Sequence, residues 1–151
     1  PTVHREAVAL APLLEDLVAP YQVGLREGLR LDLAVAPGLP AVQIDRNLVA
    51  RALTNLIENG LHALGTTGTV RITAARQALG VVVRVQDTGV GMDRTALERA
   101  FEPYFSTKTS GTGLGLPIAK RNVELCGGSI RIASAPGQGT TVELTFPTAV
   151  A

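Results

Sequence analysis

Hydrophobic residues recur along this chain with two periods, one typical of helices and one typical of strands. The helical period runs from Val8 to about Arg26 and again from Arg46 to Leu64. Asp45 directly precedes the second of these segments and is a suitable N-cap for it. A short helix near residues 94 to 99 and a further helix that ends near Cys126 complete the predicted helical set.

Alternating apolar and polar residues predict five strands. Their sequences are LRLDLAV, GTVRITAAR, GVVVRVQD, GGSIRIASA and GTTVELTFP. Short turns join the second strand to the third and the fourth to the fifth, so each of these pairs is expected to form an antiparallel hairpin. The order of elements favours helices on one face of a mainly antiparallel sheet.

Composition adds limits to this picture. A chain of 151 residues with 46% hydrophobic residues is long enough for one domain with a real core. A net charge of +1 with 18% charged residues argues against a nucleic-acid surface or a polybasic membrane patch. Cys126 is the single cysteine, so the chain cannot form an internal disulfide. No apolar run reaches the roughly 20 residues that cross a bilayer. The first residues lack the charged start and the cleavage site of a signal peptide. We expect a cytoplasmic fragment without membrane contact of its own, even where its parent protein is membrane-anchored.

The helix predicted from Arg46 to Leu64 has a polar stripe beside its apolar one. Asn55, Glu58, Asn59 and His62 fall at i, i+3, i+4 and i+7. Asparagine is a mediocre helix former, so two of them one turn apart suggest a gain elsewhere. Amide oxygens at this spacing suit a small hard cation or a phosphate, although a solvated polar face is the simpler explanation for a generic helix.

Two glycine-containing segments are further candidates for a ligand site. The strand that ends at Asp87 runs into DTGVGM, where a carboxylate that can accept a hydrogen bond from a ligand amine is followed by Gly89 and Gly91. Taken alone, this segment is more simply explained as an ordinary turn. The second segment, SGTGLGLPIAK, begins at Ser110 and carries three glycines before a helix.

The spacing in SGTGLGLPIAK excludes two common phosphate loops. A dinucleotide fingerprint needs glycine at the sixth position from Gly111, where Leu116 stands. A P-loop needs Lys and Ser or Thr after its last glycine, whereas Gly115 is followed by Leu116 and Pro117. What remains is a glycine-rich segment that ends at a helix N-terminus, a place that favours phosphate, or else a plain linker.

The four segments together carry more weight than each alone. In order, NLIENGLHAL, DTGVGM, FEPYFSTK and GTGLGLPIAK closely resemble the N box, first glycine box, F box and second glycine box of the catalytic ATP-binding domain of sensor histidine kinases. The resemblance covers residues 45 to 146. It implies the GHKL ATP-binding fold, an α+β two-layer sandwich with a mixed, mainly antiparallel five-stranded sheet and about three helices on one face. The short lid resembles the nitrogen-regulation type.

The resemblance also implies roles for residues in the first two boxes. Asn59 matches the Mg²⁺ ligand, and Asn55 matches the residue that lines the phosphate side. Asp87 matches the aspartate that accepts the adenine amino group, and Thr140 resembles the threonine that supports it. The other nucleotide-binding positions here are Gly89, Gly91 and Met92, where the glycines let the purine lie close.

The third and fourth boxes match a mobile lid, expected at about residues 93 to 112, with Phe101 and Phe105 fastening it. Lys108 is a candidate phosphate contact, or else a solvated charge. The nucleotide-binding positions of the second glycine box are Gly111, Thr112, Gly113, Leu114, Gly115 and Leu116.

The resemblance further implies chemistry and partners. The superfamily's ATPases have a glutamate that activates water where this chain has Asn55, so phosphoryl transfer is favoured over hydrolysis. Asn55, Glu58 and Asn59 are therefore the catalytic candidates, with Glu58 either assisting the acceptor imidazole or solvated. Many members have a cation where His62 stands, so His62 is either a nucleotide contact or a surface residue.

The acceptor is expected to lie elsewhere, because neither His4 nor His62 lies in a His-Glu phosphoacceptor motif. We expect residues 1 to 151 to be a single catalytic domain that acts with ATP and Mg²⁺ on a dimerisation and phosphoacceptor domain of its parent protein, upstream of a response regulator. Two alternatives remain open at this point. One is a serine kinase of the anti-sigma type, and the other is a nucleotide-binding module without catalysis.

Overall fold

A computed structural model describes residues 2–78, 80–103 and 115–148 of the chain. The predictions for Phe105, Lys108, Gly111, Thr112, Gly113 and Leu114 lie outside these described residues. The elements in chain order are β1 (Glu6–Val8), α1 (Leu10–Val23), β2 (Leu29–Val35), β3 (Val42–Ile44), α2 (Arg46–Ala63), β4 (Gly68–Gln77), β5 (Gly80–Asp87), α3 (Arg94–Glu98), α4 (Gly115–Leu125), β6 (Ser129–Ser134) and β7 (Thr140–Pro147).

Five strands form the main sheet in the order β2-β4-β5-β7-β6. The pair β2–β4 is parallel, whereas β4–β5, β5–β7 and β6–β7 are antiparallel. The expected mixed, mainly antiparallel sheet is therefore confirmed, and so are both predicted hairpins. The parallel pair follows from the connection, because β3 and the whole of α2 lie between the two strands and allow the chain to cross over.

One face of this sheet is apolar and carries the helices. Residues that are paired across the strands share a face, and on the helix side these include Val70, Ile72, Val83, Val85, Val142 and Leu144. Helices α1, α2 and α4 pack on this side, and their buried residues join the same core. The opposite face is polar and includes the ion pair between Arg84 and Glu143, 2.8 Å from Nε to Oε2. The helices on one face were predicted correctly.

A second, two-stranded sheet pairs β1 with β3 and was not predicted. Each strand has three residues, too few to show an alternating pattern. Its inner residues Val8, Val42 and Ile44 are buried in the main core. The small sheet fixes the chain's entry beside the start of α2.

Asp45 ties this entry to α2. Its Oδ1 accepts from the backbone N–H groups of Asn47 at 3.0 Å and Leu48 at 3.2 Å, which is the predicted N-cap. Its Oδ2 accepts from the backbone N–H of His4 at 2.9 Å. The hydrogen bond from His4, followed by those from the helix, holds the pKa of the Asp45 carboxyl below its ordinary value.

Helix α4 crosses α2 and is attached to it by buried polar contacts. Asn122 is buried, and its Nδ2 donates to the carbonyl of Leu48 at 3.0 Å. The backbone N–H of Asp45 donates to Cys126 Sγ at 3.3 Å. Cys126 is buried, and its burial raises the pKa of the thiol. Within the described residues, no helix is long and apolar enough to cross a membrane.

Candidate functional site

The two asparagines of α2 meet the first residue of α4. The Nδ2 of Asn55 donates to the carbonyl of Gly115 in a long hydrogen bond of 3.5 Å. A Cβ built on Gly115 would lie 3.3 Å from Asn59 Nδ2 and 3.5 Å from Asn59 Oδ1. The polar stripe of α2 is therefore not simply solvated, because both amides lie against the point where the glycine-rich segment enters α4.

Gly60, the next residue of α2, brings the helix down onto the sheet beside Asp87. A Cβ on Gly60 would lie 3.1 Å from Val70 Cγ2 and 3.7 Å from Asp87 Cβ. Asn59 and Asp87 are thus held close together through the single residue Gly60. The structure therefore brings the predicted metal ligand and the predicted adenine ligand to one end of the sheet.

Asp87 and Thr140 stand side by side on the apolar face. They are direct partners in the β5–β7 ladder, and both are buried, with 7% and 9% of their surface exposed. Asp87 Oδ1 accepts from the backbone N–H of Gly89 at 2.8 Å. A buried carboxylate and a buried hydroxyl at the end of an otherwise apolar face are suited to bind a polar ligand group. The roles predicted for Asp87 and Thr140 require that these two residues be adjacent, and they are.

The glycines after Asp87 have structural reasons of their own. A Cβ on Gly89 would lie 2.4 Å from the carbonyl oxygen of Ala63 at the end of α2. Gly91 has a φ of +72°, and its Cβ would lie 1.9 Å from the carbonyl oxygen of Ala135. The loop is therefore clamped between α2 and the β6–β7 turn. Contact of these glycines with a purine stays a prediction.

The carboxylate of Glu58 is hydrogen-bonded to helix α1. Tyr21 Oη donates to Glu58 Oε2 at 2.8 Å. Burial, followed by the hydrogen bond and the negative charge of Glu58, raises the pKa of Tyr21 to about 12. Glu58 itself is exposed. Its role in catalysis stays a prediction, and the structure adds that Tyr21 orients its carboxylate.

The remaining described candidates lie around this centre. His62 is exposed in the last turn of α2. Leu116 is partly buried and packs on the core, as expected for a residue that anchors α4. Phe101 packs near α4, with Lys120 Nζ 5.2 Å from the centroid of its ring. Met92 is held by its backbone N–H, which donates to Ser134 Oγ at 2.8 Å.

Three residues of this site were not predicted from the sequence. Ser134 could have been found, because strand alternation places it on the same side as Ile130 and Ile132, where a polar residue is out of pattern. Gly60 and Tyr21 give no comparable signal. A glycine within a helix has many explanations, and the partner of Tyr21 is 37 residues away in the chain.

The described side chains fit a magnesium site in which the protein supplies only some of the ligands and the nucleotide supplies others. Among the residues that the structure describes, no group of three or more His, Cys, Asp or Glu side chains is placed to hold a metal. The amide oxygen of Asn59 is a suitable single ligand for a hard cation, which then takes its other ligands from phosphates and water. The residues present therefore fit Mg²⁺ that arrives with a nucleotide.

Comparison with known proteins agrees with this geometry. The family described as "Histidine kinase-, DNA gyrase B-, and HSP90-like ATPase" matches residues 44–150. The chain is 40% identical over 109 residues to the sensor histidine kinase ZraS of Escherichia coli K12, which covers 72% of this chain and 23% of that protein. It is 37% identical over 145 residues to the nitrogen regulation protein NtrY of Azorhizobium caulinodans, covering 91% and 18%. The chain thus spans less than a quarter of these two relatives.

Solved structures show the same fold. The catalytic domain of the histidine kinase ThkA matches with a TM-score of 0.85 and 26% identity over 96% of each chain. Full-length ShkA in complex with AMPPNP matches with a TM-score of 0.86 and 28% identity, covering all of this chain and 33% of that one. This chain belongs to the family of histidine kinase-, DNA gyrase B- and HSP90-like ATPases, and within it to the catalytic ATP-binding domains of sensor histidine kinases.

Proposed function

We propose that this domain binds ATP with Mg²⁺ and transfers the γ-phosphoryl group to a histidine on a separate dimerisation and phosphoacceptor domain. One observation carries the proposal: Asn55 and Asn59 lie against Gly115 at the start of α4, and Gly60, the residue after Asn59, packs against Asp87. A base-recognising carboxylate, a metal-binding amide and a helix N-terminus then share one end of the sheet.

Each end of the nucleotide has a suitable partner in this arrangement. The carboxylate of Asp87, with Thr140 beside it in the β5–β7 ladder, accepts a hydrogen bond from the adenine amino group. The N-terminal end of α4 directs the positive end of the helix dipole towards the phosphates. Asn59 holds Mg²⁺ through its amide oxygen, and the ion neutralises phosphate charge when it is bound.

Transfer is favoured over hydrolysis because Asn55 cannot act as a general base. A neutral amide does not take a proton from water, so the side chain orients rather than activates. Phosphoryl transfer depends mostly on positioning and on charge neutralisation, and it needs little covalent chemistry from the protein. The nucleophile then comes from the partner domain, whose product is passed to a response regulator.

The proposal includes a domain assignment. Residues 1 to 151 form one catalytic domain in the cytoplasmic part of a longer sensor kinase. The lid predicted at about residues 93 to 112 lies partly outside the described residues. The similarity to NtrY supports the nitrogen-regulation type. The acceptor is placed on a partner domain because neither His4 nor His62 lies in a His-Glu phosphoacceptor motif.

Nucleotide binding tests the site directly. Titration calorimetry of ATP, with and without Mg²⁺, is expected to show that Asp87→Asn weakens binding at least tenfold, about 1.4 kcal/mol or more. Asn59→Ala is expected to remove the Mg²⁺ dependence. Matched controls are Asp32→Asn on the opposite face of the sheet and Asn47→Ala in the exposed first turn of α2. Unchanged affinity in both site variants would refute the assignment.

A further inference from the structure

Ser134, the last residue of β6, connects three segments at the base-binding end of the site. Its Oγ lies 2.8 Å from the backbone nitrogen of Met92, from the carbonyl oxygen of Gly139 and from Oγ1 of Thr140. Met92 belongs to the loop after Asp87, Gly139 directly precedes β7, and Thr140 is the first residue of β7. None of the roles proposed above uses this serine.

The directions of these three hydrogen bonds follow from counting protons. A serine hydroxyl has one proton and two lone pairs. The carbonyl of Gly139 can only accept, so the Ser134 proton goes to it. The N–H of Met92 can only donate, so it takes one lone pair of Ser134. The contact with Thr140 then requires that Thr140 be the donor.

This fixes what Thr140 presents to its surroundings. Because its proton is directed at Ser134, Thr140 Oγ1 faces every other neighbour with lone pairs only. Asp87, its partner in the ladder, contributes carboxylate oxygens on the same face. Where these two described side chains meet position 6 of the base, their acceptors bind an amino group and disfavour a carbonyl, because the carbonyl oxygen would face their lone pairs.

We propose that Ser134 is a positioning residue that holds Thr140 as a hydrogen-bond acceptor and so helps the site to discriminate an amino-bearing purine from a keto purine. The inference rests on the proposed function, in which the base lies at Asp87. It goes beyond that function because it assigns part of the base selectivity to Ser134, which does not touch the base and acts through Thr140. The same hydroxyl accepts from the backbone N–H of Met92, so Ser134 both positions the loop after Asp87 and contributes to the choice of base.

The test compares ATP with ITP, which carries a carbonyl in place of the adenine amino group and a proton on the neighbouring ring nitrogen. Affinities for both, with Mg²⁺, are measured by calorimetry for the wild-type chain and for Ser134→Ala and Ser134→Thr. In Ser134→Ala the Thr140 hydroxyl is free to donate, so the preference for ATP over ITP is expected to fall about tenfold. Ser134→Thr keeps the hydroxyl and is expected to restore the preference.

A merely structural serine gives a different result. If Ser134→Ala weakens ATP and ITP by the same factor and leaves their ratio unchanged, the inference is overturned. Thr140→Val provides a second route that does not require Ser134→Ala to fold, since loss of the acceptor should also lower the preference, and an unchanged ratio there overturns it as well. Failure of the wild-type chain to bind ATP at all would instead refute the proposed function, and this inference with it.

Discussion

Asn59 of α2 and Gly115 of α4 lie in contact, with the Asn59 amide nitrogen 3.3 Å from the position that a Cβ of Gly115 would occupy. The absence of a side chain at residue 115 is what lets the glycine-rich segment enter its helix beside the predicted Mg²⁺ ligand. Side-chain volume at this residue therefore controls the position of the Asn59 amide.

Gly115→Ala tests this contact. The added methyl group displaces the Asn59 side chain, so ATP affinity in the presence of Mg²⁺ is expected to fall several-fold. Folding stability is expected to hold or to rise by up to about 1 kcal/mol, because alanine favours a helix over glycine. Gly65→Ala is the control, since a Cβ there meets nothing within 4 Å. Equal effects of the two substitutions on ATP binding would contradict the role of the contact.

The turn glycines offer a matched pair that separates backbone strain from steric clash. Gly91 and Gly137 have nearly the same φ, +72° and +74°, but a Cβ on Gly137 meets nothing within 4 Å while one on Gly91 lies 1.9 Å from the Ala135 carbonyl oxygen. Gly137→Ala is expected to cost about 1 kcal/mol in free energy of unfolding. Gly91→Ala is expected to cost about 3 kcal/mol or more.

Urea denaturation followed by circular dichroism measures both costs. The difference between the two variants, rather than either value, carries the information. If Gly91→Ala and Gly137→Ala are equally stable, the clamping of the loop between α2 and the β6–β7 turn is wrong.

The lowered pKa of Asp45 implies a contribution to the free energy of unfolding that is lost in acid. Its folded-state pKa is lowered, so in acid the unfolded state binds more protons than the folded state. The contribution is complete above the ordinary carboxyl pKa of about 4 and is lost as the pH falls through the lowered folded value. Asp45→Asn keeps an oxygen for the first turn of α2 but cannot accept from His4 with its amide nitrogen.

The expected result for Asp45→Asn is a loss of about 1 kcal/mol at neutral pH and a flatter decline of stability in acid, while Asp45→Ala, which also lacks the cap, loses about 2 kcal/mol. Denaturation midpoints measured from about pH 6 to about pH 2 provide the check. A decline in Asp45→Asn as steep as in the wild type would show that Asp45 does not hold the chain's entry in the way described.

The hydrogen bond from Tyr21 to Glu58 is visible in the titration of the phenol. The chain has two tyrosines, so Tyr104→Phe leaves Tyr21 as the only one to titrate. Absorbance near 295 nm is expected to give a Tyr21 pKa of about 12. Glu58→Gln removes the carboxylate charge and is expected to lower that value, but not fully, because burial is the larger cause.

The raised pKa of Tyr21 also makes the free energy of unfolding depend on pH. The neutral phenol is favoured in the folded state, so this contribution is present below the ordinary pKa of about 10 and is lost as the pH rises through the folded value. Circular dichroism recorded in parallel shows that the protein is still folded during the titration. A Tyr21 pKa near 10 in the folded chain, unchanged by Glu58→Gln, would contradict the contact.

Much of the fold was predictable because its patterns are local. The cap at Asp45, the helix after it and both hairpins are encoded in spacing and in turn residues, and the structure contains each of them. Strands β1 and β3 were missed because three residues do not establish a period. The parallel pairing of β2 with β4 required the resemblance to known domains, because alternation does not specify a strand's partner.

Candidate site residues could be named from the sequence where they fall in ordered motifs, as with Asn59 and Asp87, and their roles stay predictions. Contacts between distant segments could not be named in this way. Tyr21 of α1 is hydrogen-bonded to Glu58 of α2. The hydroxyl of Ser134 joins the loop after Asp87 to the β6–β7 turn, and the role proposed for it depends on the direction of each hydrogen bond. Such relations depend on tertiary geometry, and a single sequence does not display them.

The central claim is phosphoryl transfer to histidine, and it has one direct measurement. The chain is incubated with Mg²⁺ and γ-labelled ATP together with the dimerisation and phosphoacceptor domain of its parent protein, and the label on the partner is tested for stability in acid and in base. We predict label that is lost in acid and kept in base, as expected for phosphohistidine, and that is absent when Asn59→Ala replaces the wild-type chain. Acid-stable phosphoserine, or bound ATP with no label on the partner, would contradict the account.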